Sequence, residues 1–141
     1  MPNEPTVHFE YNEDGDARWP VVYENGDSEQ LKLTALAPEL YRLEESSFAG
    51  EAVYGDIIRV HQMANGALLF REIAERSALT TQSWIVSASI LSTEKIRTGL
   101  AKVIDSGGMW EQAFGGMLIV HAPPDIAENV FREITDASST A

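Results

Sequence analysis

Thr93-Glu94-Lys95-Ile96-Arg97-Thr98-Gly99-Leu100-Ala101-Lys102-Val103-Ile104-Asp105-Ser106-Gly107 is where the hydrophobic period of this chain changes. Within it, Ile96, Leu100, Val103 and Ile104 fall at i, i+4, i+7 and i+8, a single apolar stripe on a helix. Ser92 or Thr93 can cap its start, because a short hydroxyl side chain accepts from an unpaired amide of the first turn. Gly107 stands where a left-handed C-cap is expected. Lys95, Arg97 and Lys102 make a solvated face, with Lys95 and Lys102 seven apart on one side and an anion site as the alternative reading.

Upstream of that helix the period is two. Val7, Phe9 and Tyr11 alternate with Thr6, His8 and Glu10, as in a half-buried strand. A turn follows at residues 12–16, with an Asp-Gly step. Residues 19–23 form a short strand whose Pro20 favours an edge position or a strand start. Leu31, Leu33 and Ala35 alternate with Lys32 and Thr34 until Pro38, and Leu40-Tyr41-Arg42-Leu43 is a further strand. Residues 57–63 and 67–76 flank Asn65-Gly66, the strongest short-range hairpin signal. Residues 84–90 are read as one more strand. Downstream of the helix come a strand at 110–114, the turn Gly115-Gly116 and a strand at 117–121. A last helix opens on Pro123-Pro124-Asp125.

This order defines an α+β chain: an antiparallel N-terminal meander or small barrel, followed by a β-α-β-β-α half that resembles most of a ferredoxin-like sandwich. Its 141 residues fit a single compact domain over 1–141, with subdomains at 1–80, mostly β, and 81–141, βαββα. A chain of that size buries roughly two-thirds of its unfolded surface and needs no staple to fold.

Composition narrows the function classes. There is no cysteine, which excludes disulfides, thiol nucleophiles and thiolate metal sites, and suits a reducing cytoplasm. No apolar run is long enough to span a bilayer, and the first residues lack the pattern of a signal peptide. A cytoplasmic location and no membrane partner are therefore expected. The net charge of −12 repels phosphate backbones, so no nucleic-acid partner is expected. Residues 1–56 hold thirteen acids against three bases, whereas residues 57–141 hold nine against seven.

No residue set spells out a reaction. His8, His61 and His121 are not paired at ligand spacing, so no metal site and no cofactor are expected. The leading expectation is a non-catalytic binding module whose acidic surface, with Glu44, Glu45, Glu51 and Asp56, meets a basic protein partner in a toxin-neutralising or regulatory role. The alternative is a small enzyme or small-ligand binder that uses Glu72 or Glu75 with His61 or His121 in a cleft between the halves. A homodimer through an open sheet edge is a third expectation. Asp56 also has a structural reading, as a turn acid bonded to nearby backbone amides.

Leu40-Tyr41-Arg42-Leu43, Phe48, Tyr54-Gly55-Asp56-Ile57-Ile58 and Trp110-Glu111 together resemble a family of short bacterial proteins of unknown function, over about residues 30–125. The resemblance implies a bacterial cytoplasmic origin. It carries no activity, cofactor or catalytic residue.

Overall fold

The computed structural model describes residues 10–11 and 17–139. His8, the strand residues 6–9 and the turn at 12–16 lie outside them. The architecture is mixed α+β, and the chain falls into two compact units, residues 1–77 and residues 78–141.

The first unit is all β: β1 Glu10–Tyr11, β2 Ala17–Val22, β3 Ser28–Ala37, β4 Leu40–Leu43, β5 Ile57–Gln62 and β6 Leu68–Glu75. Consecutive strands pair antiparallel. In addition β2 pairs parallel with β6 through Val21↔Leu68 and Val22↔Leu69. The meander of β2 to β6 thus closes into a five-stranded ring. Pro20 falls between the β2 residues paired to β1 and those paired to β6, a position that tolerates a residue with no N–H. The β5–β6 turn is Asn65-Gly66, where Gly66 takes φ +93° and Asn65 Oδ1 accepts from the Ala67 amide at 3.0 Å. Alternation puts Val21, Leu31, Leu33, Tyr41, Leu43, Ile58, Val60 and Leu68 into one core, while Arg42 and Arg59 between them are exposed. Full burial of one such leucine contributes about 1.5–3 kcal/mol before entropy is counted.

The second unit contains β7 Thr80–Ile85, α1 Ala88–Leu91, α2 Glu94–Asp105, β8 Met109–Ala113, β9 Met117–Ala122 and α3 Pro124–Ser139. Its sheet has the order β7-β9-β8, with both pairs antiparallel. One sheet face, with Leu118, Val120, Ala122, Trp84 and Trp110, packs on Ile96, Leu100 and Val103 of α2 and on Ala127, Val130, Phe131 and Ile134 of α3. The rings of Trp84 and Phe131 meet edge-on at 5.4 Å, and Trp84 Nε1 donates to Thr135 Oγ1 at 3.0 Å.

Two local expectations change. The strand expected over 84–90 starts earlier, at Thr80, and ends at Ile85. Ser87 Oγ accepts from the Ile90 amide at 3.2 Å and starts α1 instead, because a serine competes for backbone bonds better as a cap than inside a strand. Ile104, placed on the apolar stripe of α2, is 45% exposed, whereas Ile96, Leu100 and Val103 are buried. Among the described residues, no helix is long and apolar enough to cross a membrane.

Candidate functional site

Between β4 and β5 the chain runs through residues 44–56 without regular structure, yet carboxylates from within and outside this loop hold it at many points. At its base, Leu43 and Gly55–Asp56 exchange backbone bonds, Leu43 N to Asp56 O and Gly55 N to Leu43 O, both 2.9 Å. Asp56 is 1% exposed. Its Oδ1 accepts from the Ser77 amide at 2.7 Å, and its Oδ2 accepts from the Val53 amide at 3.0 Å and from Arg76 Nη1 at 3.4 Å. A charged acceptor with several amide donors is the arrangement that offsets the cost of burying a carboxylate. Gly55 has φ +87°, a left-handed conformation that favours glycine.

Glu29 of β3 holds the far side of the loop. Its Oε1 accepts from the Phe48 amide at 3.1 Å and the Ala49 amide at 3.4 Å. Its Oε2 accepts from Tyr23 OH at 2.5 Å and from the Ser47 hydroxyl. Burial, and then the Glu29 carboxylate, hold the Tyr23 phenol protonated well above its ordinary range. It therefore remains a donor throughout the neutral region. Glu44 and Glu45 are engaged as well. Glu44 Oε2 accepts from Thr34 Oγ1 at 2.8 Å and Arg42 Nε at 3.0 Å. Glu45 Oε2 accepts from Arg18 Nη1 and from the Lys32 amide, both at 2.8 Å.

What remains on the outside of the loop is Phe48, 50% exposed, and Glu51, also exposed. Of the four acids assigned from sequence to a partner surface, Glu44, Glu45 and Asp56 hold the loop. Glu51 forms no ion pair among the described residues. Phe48 entered the sequence reading only through the family resemblance. An aromatic between Glu44-Glu45 and Gly50-Glu51 was the signal the sequence offered.

The histidine–carboxylate pairs differ from those anticipated. His61 is exposed on β5, and its Nδ1 lies 3.3 Å from Glu39, not beside Glu72 or Glu75. Glu72 pairs with Arg59 at 3.0 Å across the β5–β6 register, and Glu75 stands exposed at the end of β6. His121 is fully buried. Its Nε2 lies 2.5 Å from Glu111 Oε2 and its Nδ1 2.7 Å from Thr81 Oγ1. A carboxylate only accepts, so Nε2 donates to Glu111 and Nδ1 is left to the hydroxyl. Hydroxyl, imidazole and carboxylate in line form the order that activates nucleophiles in hydrolases. Here each member belongs to a different strand, β7, β9 and β8, and Thr81 is paired directly with His121 in the ladder, so the line ties the three strands together side to side. Among the described residues, no group of three or more His, Asp or Glu side chains is placed to hold a metal ion.

No family model and no curated protein matches the chain. Its structure is similar to the crystal structure of a hypothetical protein from Neisseria gonorrhoeae, with a TM-score of 0.54 and 14% sequence identity, over 92% of this chain and 85% of that one. At that identity the likeness is one of fold, in keeping with the resemblance to short bacterial proteins of unknown function.

Proposed function

We propose that this chain is a non-catalytic interaction protein whose first unit presents the 44–56 loop to a strongly basic protein partner. The supporting observation is the division of labour within the loop. Glu29 and Asp56 hold its backbone amides, and Glu44 and Glu45 tie it to β2, β3 and β4, while Phe48 and Glu51 stand outside it. A functional loop carried on a rigid scaffold is a common recognition device. A half-exposed aromatic is suited to anchor an interface, and its acidic surroundings to steer a cationic surface toward it. A toxin-neutralising or regulatory role would use such a surface. On this reading the partner contacts shift from Glu44, Glu45 and Asp56 to Phe48 and Glu51. For the second unit we read the order β7-β9-β8 with two long helices on one face as a ferredoxin-like arrangement without its fourth strand, and the Thr81–His121–Glu111 line as its clamp.

The test is substitution at the exposed positions. Phe48→Ala is expected to weaken association with a basic protein co-purified at low salt by about 30-fold, the loss of a roughly 2 kcal/mol anchor. Glu51→Lys is expected to slow association and flatten its salt dependence. Unfolding curves of both variants should match the parent. Association unchanged in both variants would contradict the proposal.

A further inference from the structure

A pocket of about 330 Å³ opens in the second unit, lined by Leu91, Arg97, Leu100, Ala101, Trp110 and Gln112. Its volume sits at the small end of ligand pockets, which run about 300–1,000 Å³. It borders α2 and β8 on the helix-packed face of the sheet. Strand alternation turns Trp110 toward that face and Glu111, with His121, toward the other. Leu91, Leu100, Ala101 and Trp110 supply apolar wall, and Arg97 and Gln112 supply the polar groups.

Arg97 stands apart from the other arginines of the chain. There are seven, and six meet a carboxylate: Arg18 with Glu45, Arg42 with Glu44, Arg59 with Glu72, Arg71 with Glu24, Arg76 with Asp56 and Arg132 with Glu128. Among the described residues, Arg97 meets none. In a chain with 22 acids and 10 Lys and Arg, the arginine that meets no acid among the described residues is the one that lines the pocket. Lys95 and Lys102, the other cations of α2, are not part of the lining.

We propose that this pocket binds a small organic monocarboxylate with an apolar body. A guanidinium presents a planar fork of donors that matches a carboxylate in two parallel bonds. The Gln112 amide adds a donor, and the apolar body lies against Trp110 and the two leucines, where removal from water contributes about 25 cal/mol per Å². This site lies wholly within the second unit and does not depend on the loop of the first.

Octanoate and hydrocinnamate are the probes, titrated into the full chain while the Trp110 indole N–H resonance, assigned by Trp110→Phe, is followed. Both are expected to shift that resonance saturably. Arg97→Gln, a change at an exposed position, is expected to weaken binding at least tenfold with an unaltered unfolding curve. Ala101→Trp, which fills the pocket from α2, is expected to abolish binding. Should Ala101→Trp fail to fold, Arg97→Gln carries the test alone. Octylammonium, with the same chain and opposite charge, is expected to leave the resonance in place. No shift with either carboxylate, equal affinity in Arg97→Gln, or equal binding of octylammonium overturns the proposal.

Discussion

Asp56→Ala is expected to destabilise the first unit by about 2–5 kcal/mol, mainly through the two backbone amides it leaves without an acceptor, since the side chain of Arg76 is 61% exposed and stays solvated. The size follows from what the carboxylate holds. With Asp56 removed, the Val53 and Ser77 amides lose their acceptor, and Arg76 loses its partner. Each unsatisfied donor left out of water costs about 1–3 kcal/mol. Asp56→Asn keeps one acceptor oxygen and should cost roughly half as much. Urea unfolding checks this: the midpoint should fall without a change of slope, since the surface exposed on unfolding stays the same. A loss under about 1 kcal/mol for Asp56→Ala would mean that the loop does not depend on this carboxylate.

The second large effect is expected at Gly108, just before β8. A Cβ at this position would collide with the His121 carbonyl oxygen and would lie 2.8 Å from Val103 Cγ1 and 3.1 Å from Val103 O. Two of these three are backbone atoms, which cannot turn away as a flexible side chain can. Gly108→Ala should therefore cost about 3 kcal/mol or more, the upper part of the range for overpacking. Its neighbour supplies the control. Gly107 has φ +92°, but a Cβ there would meet nothing within 4 Å. Gly107→Ala should cost only the left-handed backbone penalty, about 1–2 kcal/mol. Denaturant unfolding followed by tryptophan fluorescence separates the two. Equal losses would contradict the close approach of Gly108 to β9.

Much of the fold was legible because its signals are local. The 3.6 period of Ile96, Leu100 and Val103, the Asn65-Gly66 turn and the stop at Pro38 each act within a few residues. Closure of the first unit was legible only as one of two alternatives, an open meander or a small barrel. It rests on two parallel pairs, Val21↔Leu68 and Val22↔Leu69, joining residues far apart in sequence with no turn to announce them. The start of β7 was missed because Thr80, Thr81, Gln82 and Ser83 are polar and exposed, so no apolar alternation marks them.

The sites follow the same logic. The structural reading of Asp56 was available, since an acid beside a glycine turn accepts from nearby amides. That Glu44 and Glu45 also spend their charge on Thr34, Arg18 and the Lys32 amide was not, because those partners come from β2 and β3; only Arg42, two residues before Glu44, is local. Glu111 could have been paired with His121 in principle. Once Gly115-Gly116 is read as the hairpin turn, period two puts both on the same face of adjacent strands. The loop at 44–56 has no period, and its form is set by side chains reaching in from β3 and from the end of β6.

The central claim is that the fixed loop places Phe48 against a basic partner, and photo-crosslinking from position 48 tests it most directly. A photoreactive phenylalanine analogue in place of Phe48, activated in cells of the source organism, is expected to give one discrete adduct with a strongly basic protein. That adduct should form more slowly when Glu51 is changed to Lys and should weaken as salt is raised. Absence of any adduct at position 48, or an adduct indifferent to both Glu51→Lys and salt, would contradict the account.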